Sequence, residues 1–501
     1  MEPVYEVLKL GAEKEVFERN VLVEKRTDKS SESIGKILSI SSVVLSEPAK
    51  IDDDKVFYGG RVVFYVCYLD ENGALKKIES SGEFALTESI SLPETVCGAT
   101  ATATVNKTEY SLESGSLTLS AVVGVTITLS KCIEQSVFAG GENVVADKKE
   151  MEIIKSYGVK SGVYPLEQEF ELGFPVQEVV SQNLSTVITS VQSGVGCIIV
   201  DGETYLKVLL LQNIENGDII REEKVIPFRM EIEHADAMPQ MFATASVKEK
   251  AIKTDVSVDE TTGKSSVLST VTLAFEGEVF AEENTVLATD VFSVSEELDV
   301  TCGEIAAAIP EKICVCDAKV SGRVQTEELP AGIRITAVSD DGIELTGFEY
   351  TEGKILLEGV FSLRAFVKDS EGKVRSIKAE VPFSKTVDCP IADYQNKRIT
   401  ATTKCAYARL ISLSEMEIGA DVMFSVFGAS TQKIKYVKQV TVLGEKKTED
   451  CALSVYIGAK GEELWSLAKR LNVCPESLLA TNKELQFPLT GKERIVVYRQ
   501  K

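Results

Sequence analysis

The sequence predicts a mainly β protein: three tandem β-sandwich-like domains, then a small α+β domain of βααβ order. Short runs rich in Val, Thr, Tyr and Phe, typical of strands, fill most of the 501 residues. One hairpin pattern occurs three times, and an amphipathic helical pattern occurs near the C-terminus. Because 501 residues exceed what a single core holds, we expect four domains, at 1–150, 151–307, 308–447 and 448–501.

The N-terminal region has apolar residues without a clear period. Residues 1–30 are predicted to form a short helix that leads into a first strand. Strands are predicted at 37–44 and 56–69, where Val, Tyr and Phe are frequent. Two later stretches, 171–190 and 301–309, are candidates for further short helices.

The repeated hairpin consists of a strand, a glycine turn and a second strand. In every copy the turn glycine precedes a phenylalanine by eleven residues, and glycine suits such a turn because it adopts positive φ without steric cost. The pairs are Gly73 with Phe84, Gly217 with Phe228, and Gly372 with Phe383, and another glycine lies ahead of each turn, at Gly60, Gly202 and Gly359. The phenylalanines are 144 and 155 residues apart. That period is too long for a solenoid or propeller blade, so the repeating unit is predicted to be a whole domain with these residues at equivalent positions.

The C-terminal segment predicts two helices between two strands. Apolar residues share one face of the first helix because they are spaced three and four apart. They are Leu464, Leu467, Ala468 and Leu471. Pro475 suits the first position of the second helix, with Leu478 and Leu479 expected on its inner face. The flanking runs 453–457 and 494–498 alternate as strands do.

This segment resembles a LysM domain. The matching residues are Gly461, Glu462, Glu463, Leu464, Trp465, Leu467, Ala468, Val473, Leu478, Asn482 and Gly491. Two positions depart from the family pattern: Gly458 stands where a valine is usual, and Glu462-Glu463 replaces the usual Asp-Thr pair. LysM domains typically bind N-acetylglucosamine polymers, and some bind proteins. The resemblance therefore implies a binding module, with the second departure favouring protein over glycan.

The same resemblance predicts the binding surface. In LysM folds the loop after the first strand and the loop before the last strand lie side by side and form a shallow groove. Here the residues expected to contact the partner are Lys460, Gly461, Glu462, Glu463, Trp465, Lys469, Phe487, Pro488 and Leu489. Trp465 is expected to be partly exposed and to anchor the interface, since it lies beside the apolar stripe of its helix. The alternative is a core tryptophan.

The whole chain resembles the SPOCS-domain family of endospore-forming bacteria, in particular its SipL-type spore coat morphogenetic proteins. The resemblance is carried by Val21-Leu22-Val23, by the run 34–40, by the three hairpins and by the LysM motif. It departs at 25–30, where the family usually has proline and aspartate. It implies a non-enzymatic scaffold of the mother-cell cytoplasm that coats the forespore. Its partner would be the stage IV sporulation protein A, a polymerising ATPase, bound through the LysM domain, and the SPOCS domains would be available to other coat proteins.

Charge and cysteine content agree with that expectation. The net charge of −23 argues against nucleic acid or an anionic membrane as a direct partner. Residues 452–501 are the exception: eight basic and five acidic residues give them a net charge of +3, against −26 for the remainder. The acidic start of the chain and its eleven scattered cysteines lead us to expect a cytoplasmic protein with reduced thiols and no insertion into a membrane.

The sequence offers no catalytic motif and no cofactor or metal-binding motif. The single histidine, His234, is expected to be a solvated residue of a loop or strand end. The acidic clusters 52–54 and 340–341 are expected to be turns. We therefore expect no enzyme activity, no cofactor and no metal. The competing function is attachment to peptidoglycan or another N-acetylglucosamine polymer through the LysM domain; an enzyme concealed in the β-domains is a remoter alternative.

Overall fold

The computed structural model describes residues 2–28, 34–113, 116–213, 217–391, 396–446 and 453–498. It is mainly β, as predicted, with two short helices near the C-terminus. The strands are β1 (Pro3–Asp28), β2 (Ile34–Ser46), β3 (Lys50–Asp52), β4 (Lys55–Asp70), β5 (Leu75–Ser89), β6 (Val96–Glu113), β7 (Ser116–Gly141), β8 (Val144–Leu172), β9 (Val176–Ser193), β10 (Cys197–Gln212), β11 (Ile219–Glu233), β12 (Phe242–Asp259), β13 (Lys264–Ser293), β14 (Glu296–Gln325), β15 (Arg334–Thr351), β16 (Lys354–Lys368), β17 (Val374–Asp388), β18 (Asn396–Leu410), β19 (Glu415–Glu445), β20 (Leu453–Ile457) and β21 (Arg494–Tyr498). The helices are α1 (Leu464–Leu471) and α2 (Pro475–Thr481), and a 3-10 turn covers Pro93–Thr95.

The long strands group into three sets with the same topology. Set 1 is β1, β2 and β4–β7, set 2 is β8–β13, and set 3 is β14–β19. In each set the first, sixth and fifth strands form one antiparallel sheet, and the second, third and fourth form another. The short β3 adds to the second sheet of set 1. Both sheets of each set contribute to one hydrophobic cluster, so every set buries its own core.

The N-terminal helix prediction is wrong. Residues 3–28 form β1, which pairs with β7 along almost its entire length. The helix candidates at 171–190 and 301–309 are also strand, in β8–β9 and β14. Apolar residues in these stretches do not keep a strict period of two in the sequence, so the alternation that reveals a half-buried strand is weak there.

The repeated glycine and phenylalanine occupy matching places in the three sets. Phe84 pairs with Gly60, Phe228 with Gly202, and Phe383 with Gly359, each across the third and fourth strands. A Cβ on Gly202 would lie 2.4 Å from the Phe228 ring, so the glycine makes room for the aromatic side chain. The first and third turn glycines have φ near +80°, as predicted. Gly217 lacks positive φ, and the rest of its turn lies outside the described residues.

Two predicted domain boundaries need correction. The boundary at 150/151 falls inside β8 and that at 307/308 inside β14. The chain instead turns back at 142–143, between β7 and β8, and at 294–295, between β13 and β14. Turn-type residues mark the first of these turns, where Asn143 follows Gly140-Gly141 and has φ of +61°. The second turn, Val294-Ser295, has no such signal.

The three sets close around a common junction. Their third strands meet there through Cys67, Leu209 and Phe366. Each of these residues lies seven positions after the repeated glycine of its set. The sixth strands meet farther along the molecule, through residues 150 and 149 positions apart, namely Val137, Leu287 and Tyr436. Equivalent strands of three similar units therefore pack on one another at two levels, which is the arrangement of a pseudo-threefold ring.

Neighbouring sets contact each other at three joints of the ring. Each joint includes the side chain that lies five positions after the repeated glycine of one set (Gly60, Gly202 or Gly359). Tyr65 of set 1 accepts a 2.8 Å hydrogen bond from the Gln182 side chain of set 2. Lys207 of set 2 forms a 2.6 Å ion pair with Asp340 of set 3. Arg364 of set 3 donates to a backbone carbonyl of set 1, that of residue 38, at 3.3 Å. The position is shared but the chemistry differs at every joint.

Sets 1 and 2 are also joined through a buried carboxylate. Glu276 of β13 is 1% exposed. It accepts hydrogen bonds from the backbone amides of Ala49 and Ala101 at 2.8 and 3.0 Å and forms a 2.7 Å ion pair with Lys248. Burial lowers the pKa of Lys248, against the opposing influence of Glu276. Each oxygen of this carboxylate therefore has protein donors, which a buried charge requires.

The C-terminal unit, residues 453–498, has the predicted strand, helix, helix, strand order. The strands at 453–457 and 494–498 and the start of α2 at Pro475 are confirmed. The stripe residues Leu467, Ala468 and Leu471 are buried, whereas Leu479 is 38% exposed and not on the inner face of α2. Gly458 directly follows β20, and a Cβ there would lie 2.5 Å from a methyl group of Leu489, so the position favours glycine.

Candidate protein-interaction site

The two loops predicted to form a binding surface lie side by side in the C-terminal unit. The amide of Gly461 donates to the carbonyl of Leu489 at 2.7 Å, and the amide of Leu489 donates to the carbonyl of Glu462 at 3.0 Å. Gly461 has φ of +81°, a conformation that favours glycine, and this explains the residue at the start of the motif. The reciprocal bonds fix the relative position of the loops.

The side chains on these loops differ in what they offer a partner. Lys460, Glu463 and Pro488 are exposed, and Phe487 is half-buried. Glu462 is engaged within the unit: its carboxylate accepts two hydrogen bonds from Arg470, at 2.8 and 3.0 Å, which lower its pKa. Leu489 is 2% exposed and lies in the core. The loop surface is therefore smaller than the sequence suggested.

Trp465 contacts another part of the same chain. Its indole ring packs edge-on against Phe292 at the end of β13, with ring centroids 5.2 Å apart. Its Nε1 donates to Asp290 at 2.8 Å, and Lys469 donates to both oxygens of that carboxylate at 2.6 Å. The side chain is half-buried, between the two outcomes expected from sequence. Two of the nine predicted contact residues thus hold the C-terminal unit against set 2.

The electrostatics of this contact favour the ionised carboxylate. Burial by itself would raise the pKa of Asp290, but the hydrogen bonds from Lys469 and Trp465 outweigh burial and hold the pKa below its usual range. A second group of bonds lies beside the first. Asn472 donates to the carbonyl of residue 294 at 2.7 Å and accepts from Lys446, which also donates to the carbonyl of residue 293. The contact therefore consists of one aromatic pair surrounded by polar interactions.

A different surface of the unit is open. One face of the β20–β21 sheet packs on the helices through Ile495 and Val497. The opposite face is largely apolar and exposed: Leu453, Val455, Ile457 and Tyr498 are 61%, 61%, 70% and 59% exposed. The exposed Arg494 lies on the same face, opposite Ile457. Cross-strand pairing places Leu453 opposite Tyr498, so the apolar side chains are contiguous. We call this surface the sheet face. None of the residues predicted to contact a partner lies on this face, although the strict alternation in 453–457 is a signal of it.

Searches of protein-family models, curated proteins and solved structures find no match to this chain. The site must be interpreted from its own residues.

Residues considered for catalysis or metal binding serve structural roles. His234 is 1% exposed, so the prediction of a solvated histidine is wrong; its Nε2 lies 3.1 Å from the carbonyl oxygen of residue 158. Asp340 and Asp341 belong to β15 rather than a turn, and Asp340 is buried in its ion pair. Within the described ranges no group of three or more His, Cys, Asp or Glu side chains is placed to hold a metal ion.

An open groove of about 600 Å³ lies where β8, β13 and β19 run close together. Its lining mixes both charges on exposed side chains and includes Glu150, Glu152, Asn284, Lys433 and Lys435. This lining provides no nucleophile paired with a base. Neither helix in the described part of the chain is long and apolar enough to cross a membrane.

Proposed function

We propose that this chain is a non-enzymatic scaffold of endospore coat assembly, similar to the SipL-type proteins. In this proposal the three strand sets are tandem SPOCS-type β-sandwich domains and the C-terminal unit is a LysM domain. The protein works on the mother-cell side of the forespore surface, in the cytoplasm. Its C-terminal unit binds the polymerising stage IV sporulation protein A, and the strand sets remain available to other coat proteins. The motif resemblance and the order of the elements support this proposal.

The sheet face is the observation that carries the proposal. Four large apolar side chains, each about 60% exposed or more, lie together on a small unit of net positive charge. Contiguous exposed apolar surface on a soluble module is typical of a site for another protein. Peptidoglycan, by contrast, presents polar sugar rings that need hydrogen-bonding groups in a groove. The loops here have Glu462 paired with Arg470 and Leu489 buried, so glycan binding is the weaker candidate.

The decisive experiment compares ligands on the full-length protein. The variant Val455→Ser/Ile457→Ser should weaken binding to the ATPase by at least about thirty-fold, the equivalent of about 2 kcal/mol for losing an interface anchor. Leu479→Ser is the matched control, because Leu479 is an exposed apolar residue of the same unit on α2. Its affinity should match that of the wild type. Both substitutions are at exposed positions, and circular dichroism checks that the fold is retained.

Chitin oligomers and purified peptidoglycan complete the comparison. The scaffold proposal requires that the wild-type protein bind the ATPase far more tightly than either glycan. Tight binding to chitin with no affinity for the ATPase would replace it with the peptidoglycan-binding alternative.

A further inference from the structure

The tip of β13 forms a specific seat for helix α1 of the C-terminal unit. The seat consists of Asp290, Phe292 and the carbonyl of residue 294, which contact Trp465, Lys469 and Asn472. Phe292 is 4% exposed and belongs to the same hydrophobic cluster as the core of the C-terminal unit. The contact therefore combines a buried aromatic pair with directed hydrogen bonds.

The pseudo-threefold ring provides an internal comparison for this seat. The sixth strands of the three sets align at offsets of 150 and 149 residues, so the chain has two other pairs of positions at equivalent offsets. In set 1 the strand is shorter, and β7 ends at Gly141, before the equivalent of Phe292. The equivalents of Asp290 are Gly140 and Gln439, and those of Phe292 are Glu142 and Thr441. Neither pair supplies an anion beside an aromatic ring. The side chains that receive Trp465 and Lys469 are thus specific to set 2 rather than a general property of the tip.

We propose that this seat is an autoinhibitory latch: it covers the Trp465 side of the C-terminal unit, and the partner gains full contact only with the released unit. The latch rests on the proposed function above and adds its regulation. Trp465 and Lys469, which the LysM resemblance assigns to partner contact, are both occupied by Asp290. The sheet face stays open in the latched form and serves first contact. Release then exposes an aromatic side chain and a lysine charge next to the loops.

The contact between the seat and helix α1 is small enough to form and break reversibly. One aromatic pair, one ion pair that is partly solvent-exposed and the bonds of Asn472 hold the unit. Exposed ion pairs contribute little net stability because solvent screens them. A partner with higher affinity for the released form shifts the population toward it, and the cost of release lowers the apparent affinity by the fraction of molecules that are open.

The test uses the full-length protein and its single tryptophan, Trp465, as reporter. Asp290→Asn weakens the seat without touching the partner-binding residues. Asn472→Gly removes the second anchor and keeps the left-handed helix end, where φ is +56°. Both variants should show red-shifted emission and stronger acrylamide quenching than the wild type. Glu283→Gln, which removes a partly exposed carboxylate from the same strand, is the control and should leave emission unchanged.

Affinity for the purified ATPase is measured on the same samples. Latch release should raise it about tenfold in both variants, as expected when only about a tenth of wild-type molecules are open. Unchanged fluorescence in both variants would overturn the latch itself. Altered fluorescence with equal or lower affinity would overturn its inhibitory role. The proposed function is judged separately, by the Val455→Ser/Ile457→Ser variant, whose loss of binding does not depend on the state of Asp290.

Discussion

Buried charges help to hold the sets together, and Glu276 is one case. Replacing it with alanine leaves Lys248 buried without its counter-charge and two backbone amides without their acceptor. We expect Glu276→Ala to lower the free energy of unfolding by about 3–5 kcal/mol. Urea denaturation measures the change. Glu283→Ala, at a carboxylate 42% exposed and paired with Lys155, should cost less than about 1 kcal/mol. Equal costs at the two sites would contradict the assigned role of Glu276.

The state of individual site residues was only partly predictable. Exposed loop positions such as Lys460 follow from local sequence. The burial of Trp465 does not, because it depends on Asp290, which is 175 residues away along the chain. His234 was misjudged for the same reason: its neighbours in sequence are charged, but its environment is set by backbone from residues 158 and 196. The local sequence pattern predicts whether a residue lies in a strand, a helix or a loop. Whether its side chain is buried depends on packing against residues that are distant in the sequence.

Among the elements, the third strand of each set has a glycine that lets neighbouring backbone approach, and in sets 2 and 3 an aromatic ring approaches it as well. A Cβ on Gly202 would meet the Phe228 ring and the carbonyl oxygen of residue 187, both at 2.4 Å. We expect Gly202→Ala to destabilise the protein by about 1–3 kcal/mol, the usual range for overpacking. Gly359→Ala should behave alike, since its Cβ would meet Phe383 at 2.8 Å and the carbonyl of residue 344 at 2.4 Å. Thermal denaturation is the measurement.

A matched control exists on a neighbouring strand. Gly347 lies in β15, and a Cβ there would come no closer than 3.9 Å to a side-chain oxygen of Glu358. Gly347→Ala should therefore be nearly neutral. If it lowered the melting temperature as much as Gly202→Ala, general loss of backbone freedom rather than close approach would explain the repeated glycine.

Strand identity was predictable and strand length was not. The repeated Gly–Phe spacing located the hairpins correctly because turn geometry is local. The long strands β7, β13 and β19 continue past β6, β12 and β18 but stay paired with β1, β8 and β14. Their extensions pack through apolar residues such as Phe138, Ala288 and Val437. Those extensions appear in the sequence only as further strand-like residues. Their packing partners come from other sets, so no single stretch of sequence indicates where one unit ends.

The ring as a whole should respond to acid at the joint between sets 2 and 3. Burial alone would raise the pKa of Asp340, but Lys207 and Arg221 outweigh burial and lower it. A carboxyl with a lowered folded-state pKa stabilises the fold above its unfolded pKa, near 3.9, and loses that contribution as the pH falls through the folded-state value. Asp340→Asn should cost about 3 kcal/mol at pH 7. The difference from wild type should shrink below about pH 4.

Urea midpoints between pH 7 and pH 2.5 provide the measurement for both proteins. Asp255→Asn, at an exposed carboxylate 57% accessible to solvent, is the control and should follow the wild-type curve. A difference between Asp340→Asn and wild type that stayed constant with pH would show that the carboxylate charge is not what holds this joint.

The differing chemistry of the three joints has a consequence for how the sets are ordered. The joints use a tyrosine with an amide, a lysine with an aspartate, and an arginine with a backbone carbonyl. If the three sets were spliced in another sequence, Lys207 would face a neighbour without Asp340 and its charge would be buried unpaired. The joint between sets 2 and 3 therefore depends on these two sets being neighbours. The contacts at the junction therefore depend on the order of the sets along the chain. A version with the sets in another order would be expected to misassemble, even though every individual set kept its own core.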